Sequence, residues 1–138
     1  MTTEEEHKSI QDELEDDINE KINRGILGKR QKLIGFAASE ASANLFARFL
    51  HKLNLISPGF NVNHRFFASI EQAKDKFGFD FPKKEEILIH LVSQENYRDK
   101  LCYGKSKDES IVRAAVKNYF TLKELIESQL SGDKDEEE

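Results

Sequence analysis

Residues 29–54 constrain this chain more than any other stretch, because they read as a helix with apolar residues on most of its sides. Leu33, Ile34, Phe36, Ala37, Ala38, Ala41, Leu45, Phe46, Phe49, Leu50 and Leu53 leave little of that helix for water. A helix apolar nearly all round belongs at the centre of a fold, and its alanines let neighbouring backbones come close. The rest of the chain must therefore wrap it. Helical periodicity dominates on both sides, and neither Asn-Gly nor Asp-Gly occurs to signal a tight hairpin.

The wrapping elements can be placed. Residues 3–24 open with Thr3 and Glu6 in capping-box spacing and carry Ile10, Leu14, Ile18 and Ile22 as a narrow apolar stripe. Gly25 and Gly28 break that helix, and Ser57-Pro58-Gly59 ends the central one. Residues 63–77 form an amphipathic helix through Phe66, Phe67, Ile70, Ala73 and Phe77. The loop Gly78-Phe79-Asp80-Phe81-Pro82 then offers two phenylalanines to plug one end of a bundle. A fourth helix spans 83–102. A last one, capped by Asp108 or Ser106, buries Val112, Ala115, Val116, Tyr119, Leu122 and Ile126 and ends at Gly132. The expectation is an all-α, up-and-down-style bundle of about five helices in one domain, 1–132, with 1–24 an acidic first helix. Residues 133–138 form an acidic tail expected to be disordered.

Charge is unevenly spread. Residues 1–20 hold nine acids and one base, and residues 133–138 hold five acids and one base, so the body between them carries +7 although the chain totals −5. Acidic ends of this kind either keep a chain soluble or shield a basic face until a polyanion displaces them. No apolar run approaches the roughly 20 residues that cross a bilayer, and the acidic start is unlike a signal peptide. With one cysteine, Cys102, no intrachain disulfide forms. The expectation is a cytoplasmic protein without a membrane segment.

The end of the fourth helix carries the most unusual chemistry. Ile87, Leu91, Arg98 and Leu101 share one broad helical stripe, which places a cation on a core-facing side. Such an arginine needs a partner or a wet cleft. Two readings stand: a phosphate contact, or a structural ion pair with Glu40 or Glu95.

The order of helices, closing on Arg98-Asp99-x3-Tyr103-Gly104, resembles the HEPN superfamily of small helical bundles over about residues 29–128. Active members carry an arginine, often followed by Asn or Asp, with a histidine four to six residues on. The resemblance implies metal-independent RNA cleavage, often by a dimer with a composite site, and partnership with a nucleotidyltransferase-like protein. Arg98 matches the family's arginine and Asp99 its neighbour, but Tyr103 stands where the histidine belongs. Histidine helps move protons there while arginine steadies charge on the phosphate. A phenol with a reference pKa near about 10 is a poor base at neutral pH, although it can donate a hydrogen bond or stack on a base.

Other candidates are thinner. His90, two turns before Arg98, is the one histidine able to approach it within the same helix, as a substitute proton carrier or as an ordinary packing residue. His7 reads as solvated surface, His51 follows Arg48 by three residues, and His64 sits near a helix start. Gly25-Ile26-Leu27-Gly28 has the Gly-x-x-Gly spacing with which KH domains clamp nucleic acid, but those domains need a sheet that this chain does not encode. Lys29, Arg30 and Lys32 beside it add phosphate-binding capacity in either case. No zinc, Walker or dinucleotide pattern is present, so neither metal nor cofactor is expected, and Cys102 reads as an inert thiol.

The leading expectation is a HEPN-like protein that binds RNA or a nucleotidyltransferase-like partner without efficient catalysis, probing RNA with Arg98, Asp99, Tyr103, Lys29, Arg30 and Lys32, and forming a homodimer. The alternatives are a protein-interaction module, whose first helix packs on another subunit, and a metal-independent ribonuclease.

Overall fold

The computed structural model describes residues 3–137, with side chains as far as Ser131. Five α-helices account for it: α1 (Glu4–Asn23), α2 (Gln31–Lys52), α3 (Ile70–Lys76), α4 (Lys84–Cys102) and α5 (Glu109–Glu137). Two 3-10 turns, Leu27–Lys29 and His64–Phe67, complete the regular structure, and no strand occurs among the described residues. The all-α bundle expected from periodicity is what the chain forms.

α2 is central, packing against α1, α4 and α5. Its alanines and one glycine set the spacing. A Cβ added to Gly35 would stand 2.8 Å from Leu101 Cβ and 3.2 Å from Cys102 Sγ, so α4 lies directly on the α2 backbone there. The helix is not wholly enclosed, because Leu33 and Phe36 remain 54% and 45% exposed.

α1 starts as its sequence predicts, with the Thr3 hydroxyl accepting from the Glu6 amide at 3.1 Å. Its buried edge differs from the expected stripe. His7, Gln11 and Ile18 are buried and Leu14 packs on the core, whereas Ile10 and Ile22 are exposed. The reason is the pitch: residues repeating every four drift around a 3.6-residue helix, so 10 and 22 end on opposite shoulders of the face centred on 7, 11, 14 and 18. This helix docks on its own chain, and two of its three buried residues are polar. Gly25 then reverses the chain at φ +68, with the Ile26 amide bonded to Lys21 O at 3.1 Å, the hydrogen bonding of a left-handed helix end.

The single helix expected over 63–77 is interrupted. Asn63 caps the 3-10 turn, and Ser69 then accepts from the Gln72 amide to start α3 afresh. Two capping side chains six residues apart divide the segment. The phenylalanines do plug that end of the bundle: Phe46 on α2 meets the rings of Phe67, Phe77 and Phe81 at 5.9, 5.1 and 5.6 Å. α5 extends to Glu137, past the Gly132 at which glycine predicts its end. The expectation for residues 133–138 falls on a stretch whose side chains lie outside the described residues.

Candidate nucleic-acid interface

Arg98 lies where its helical stripe places it, facing α2. Its Nη1 donates to Glu40 Oε1 at 2.8 Å and to Ser39 Oγ at 3.2 Å, and the guanidinium sits 5.2 Å from the Phe36 ring centre. The Arg98 side chain is only 13% exposed and Glu40 31%. Of the two readings, the structural pair is the one present, and the partner is Glu40. Glu95 is occupied elsewhere: His64 Nδ1 stands 2.8 and 3.0 Å from its two carboxylate oxygens. Burial pushes the Glu95 carboxyl above its ordinary pKa, and the His64 hydrogen bond opposes that rise. Ser39 beside Arg98, and the pairing of His64 with Glu95, are not evident from the sequence. The face shared by Glu95 and Arg98, three residues apart on α4, is the one signal that bears on them.

His90 does not serve Arg98. Its Nδ1 meets Asn118 Oδ1 on α5 at 2.7 Å, and Asn118 Nδ2 donates to His90 O and Gln94 Oε1 at 2.9 and 2.8 Å. That amide bolts α4 to α5, so His90 is a packing residue. His7, read as surface from its acidic surroundings, is buried, because it lies at the centre of the α1 seam. Cys102 donates to Lys32 O at 3.4 Å, and burial raises its thiol pKa, which keeps it protonated and unreactive.

The remaining candidates lie at the start of α2 and at the end of α4. Lys29, Arg30 and Lys32 are exposed at the start of α2, and they line one cleft of about 230 Å³ together with Gly104, Lys105 and Ser106 from the loop after α4. Asp99, exposed, lies on the last turn of α4, and Tyr103, 65% exposed, follows the helix end at Cys102 in extended conformation. Gln31 stitches the cleft together: its Nε2 donates to Lys107 O and Gly28 O, and its Oε1 accepts from the Lys107 amide. No side chain caps the first turn of α2. Two segments distant in sequence thus form one basic recess, with an exposed tyrosine one residue before its lining residue Gly104, a combination of cations and aromatic ring suited to a phosphate backbone and a base. Among the described residues no cluster of three or more histidine, cysteine or carboxylate groups is arranged to hold a metal. No described helix is long and apolar enough to cross a membrane.

Compared with protein-family models, curated proteins and solved structures, the chain matches none of them.

Proposed function

We propose that this chain is a HEPN-like helical protein of the cytoplasm that binds single-stranded RNA without efficient catalysis. One observation carries the reading: Lys29, Arg30, Lys32 and Lys105 line a single cleft, and the exposed Tyr103 directly precedes Gly104 of its lining. The cations neutralise backbone phosphates, and the phenol stacks on an unpaired base. Arg98 acts one step back. Its pair with Glu40 fixes the end of α4 against α2 and so holds the two walls of the cleft in register. Catalysis is weak because the groups that cleavage needs are engaged: Arg98 with Glu40, His90 with Asn118, and His64 with Glu95.

The test incubates labelled mixed-sequence single-stranded RNA, in chelator and low salt, with wild-type protein and with Lys29→Ala/Arg30→Ala/Lys32→Ala. A mobility shift of intact RNA that the triple variant loses supports the reading. Metal-free cleavage makes the protein a ribonuclease instead.

A second reading rests on a different feature. Leu33 and Phe36 are large, apolar and exposed on one side of α2, next to the cleft. Such a face favours a protein partner, a second copy of the chain or a nucleotidyltransferase-like protein. Sedimentation of the wild type against Phe36→Asp separates the two: a dimer that becomes monomer in the variant assigns this face to self-association.

A further inference from the structure

The seam between α1 and α2 contains a stacked pair of histidines. The His7 and His51 rings lie 5.4 Å apart at an interplanar angle of 27°. Asn44 fixes the chemistry of the first. Its Nδ2 donates to Glu40 O at 2.8 Å, so its Oδ1, 2.8 Å from His7 Nδ1, faces the ring as an acceptor. His7 must therefore carry a hydrogen on Nδ1, and in the neutral ring Nε2 is a bare lone pair. Both His7 Nε2 and His51 Nε2 are buried without a protein hydrogen-bond partner among the described residues. A proton on each ring sets two positive charges face to face, with no protein partner holding either buried Nε2.

We propose that this pair is a pH-sensitive latch: it holds the first half of α1 against α2 while both rings are neutral, and proton uptake lifts that half away. The seam has little apolar burial to resist, since His7 and Gln11 are the buried residues of that half. Charged neighbours set the threshold. From α1, Glu4 favours protonation of His51, but it is shared with Lys52 of α2 at 3.1 Å. Arg48 of α2, one turn from His51, adds a positive charge of its own. On α5, Lys123 is taken by Glu15 at 2.8 Å, and Glu127 acts on Tyr119, further along the seam. Burial first, then the neighbouring His7, holds His51 below the ordinary histidine pKa. The folded seam thus binds fewer protons than the open one, so its stability is present above about pH 6.5 and is lost as pH falls below that value. Glu4 pairs with Lys52, and His64 pairs with Glu95 at another element, so the expected change is confined to α1.

Residue-resolved amide hydrogen exchange on the full chain, corrected for intrinsic rates, reads the latch between pH 7.5 and 5.5 (chosen as about one unit either side of the histidine value). Amides in the first half of α1 should lose several-fold protection on acidification, while those in the core of α2 should not. His51→Phe, which keeps a stacked ring but cannot take a proton, should abolish the loss. Unchanged α1 protection in the wild type overturns the proposal, as does a rise, which a new bond from His7 to the free Gln11 Oε1 would give. The same loss persisting in a folded His51→Phe also overturns it. If that variant does not fold, the ring titration of His51 in the wild type decides: a midpoint tracking the α1 amide shifts supports the latch, and one unrelated to them overturns it.

Discussion

At the scale of single residues, each cation's partner decides its role. Arg98 is held by Glu40, Ser39 and Phe36, and removing it leaves Glu40 partly buried without its counter-ion. Arg98→Ala should therefore destabilise the fold by about 1–3 kcal/mol, less than the roughly 3–5 kcal/mol of a fully buried pair because Glu40 is partly exposed. Thermal melting checks this, and a variant that melts like the wild type while losing RNA would return Arg98 to direct phosphate contact. Glu95 offers a second check. Its raised carboxyl pKa means that the neutral acid is favoured in the fold, so its contribution to stability falls as pH rises from the ordinary carboxylate value through the folded one. His64→Ala removes the hydrogen bond that opposes this rise, and the Glu95 carboxyl carbon should then titrate at still higher pH by NMR. A midpoint that stays put or drops contradicts the pairing. Cys102, its thiol held protonated by burial, should alkylate more slowly in the folded chain than in the denatured one at pH 8 (a pH near the reference thiol value of about 8.5).

At the scale of elements, the close approach of α2 and α4 at Gly35 is the feature most sensitive to one added methyl group. Gly35→Ala places a Cβ against Leu101 Cβ and Cys102 Sγ, within 3.2 Å of both. Helix propensity gains about 1 kcal/mol from that change, but overpacking costs about 1–3 kcal/mol, so denaturant melts should show net loss. The elements also show what a sequence can and cannot reveal. The existence of α2, α4 and α5 follows from periodicity, because each buries apolar residues at helical spacing, and α1 is announced by its Thr3–Glu6 cap and its four-residue repeat of apolar positions. Three details do not. The true face of α1 is hidden because its central positions are His7 and Gln11, which no hydrophobic pattern counts. The break before α3 depends on Ser69 acting as a cap rather than as a helical residue, a choice made by local hydrogen bonding. The partner of Arg98 depends on which carboxylate is already taken, and His64, distant in sequence from Glu95, decides that.

At the scale of the whole molecule, the separation of charge acquires a location. The basic body concentrates Lys29, Arg30, Lys32 and Lys105 in one recess, whereas most acids of α1 are exposed to solvent off its His7–Gln11–Ile18 seam, Glu15 being held by Tyr119 and Lys123. The basic trio was legible as a run of cations, but its juxtaposition with Gly104 and Lys105 needed the antiparallel packing of α2 and α4 and the Gln31–Lys107 bonds that close it. The central claim is that this recess binds RNA through its backbone, and the salt dependence of affinity tests it most directly. Binding of single-stranded RNA, followed by fluorescence anisotropy across salt concentrations, should give a linear fall of log K with log salt. Removing Lys29, Arg30 and Lys32 together should flatten that slope by about 2, at roughly 0.7 per lost phosphate contact on a single strand. A triple variant that binds RNA with unchanged affinity and slope would contradict the account and move the interface away from the cleft.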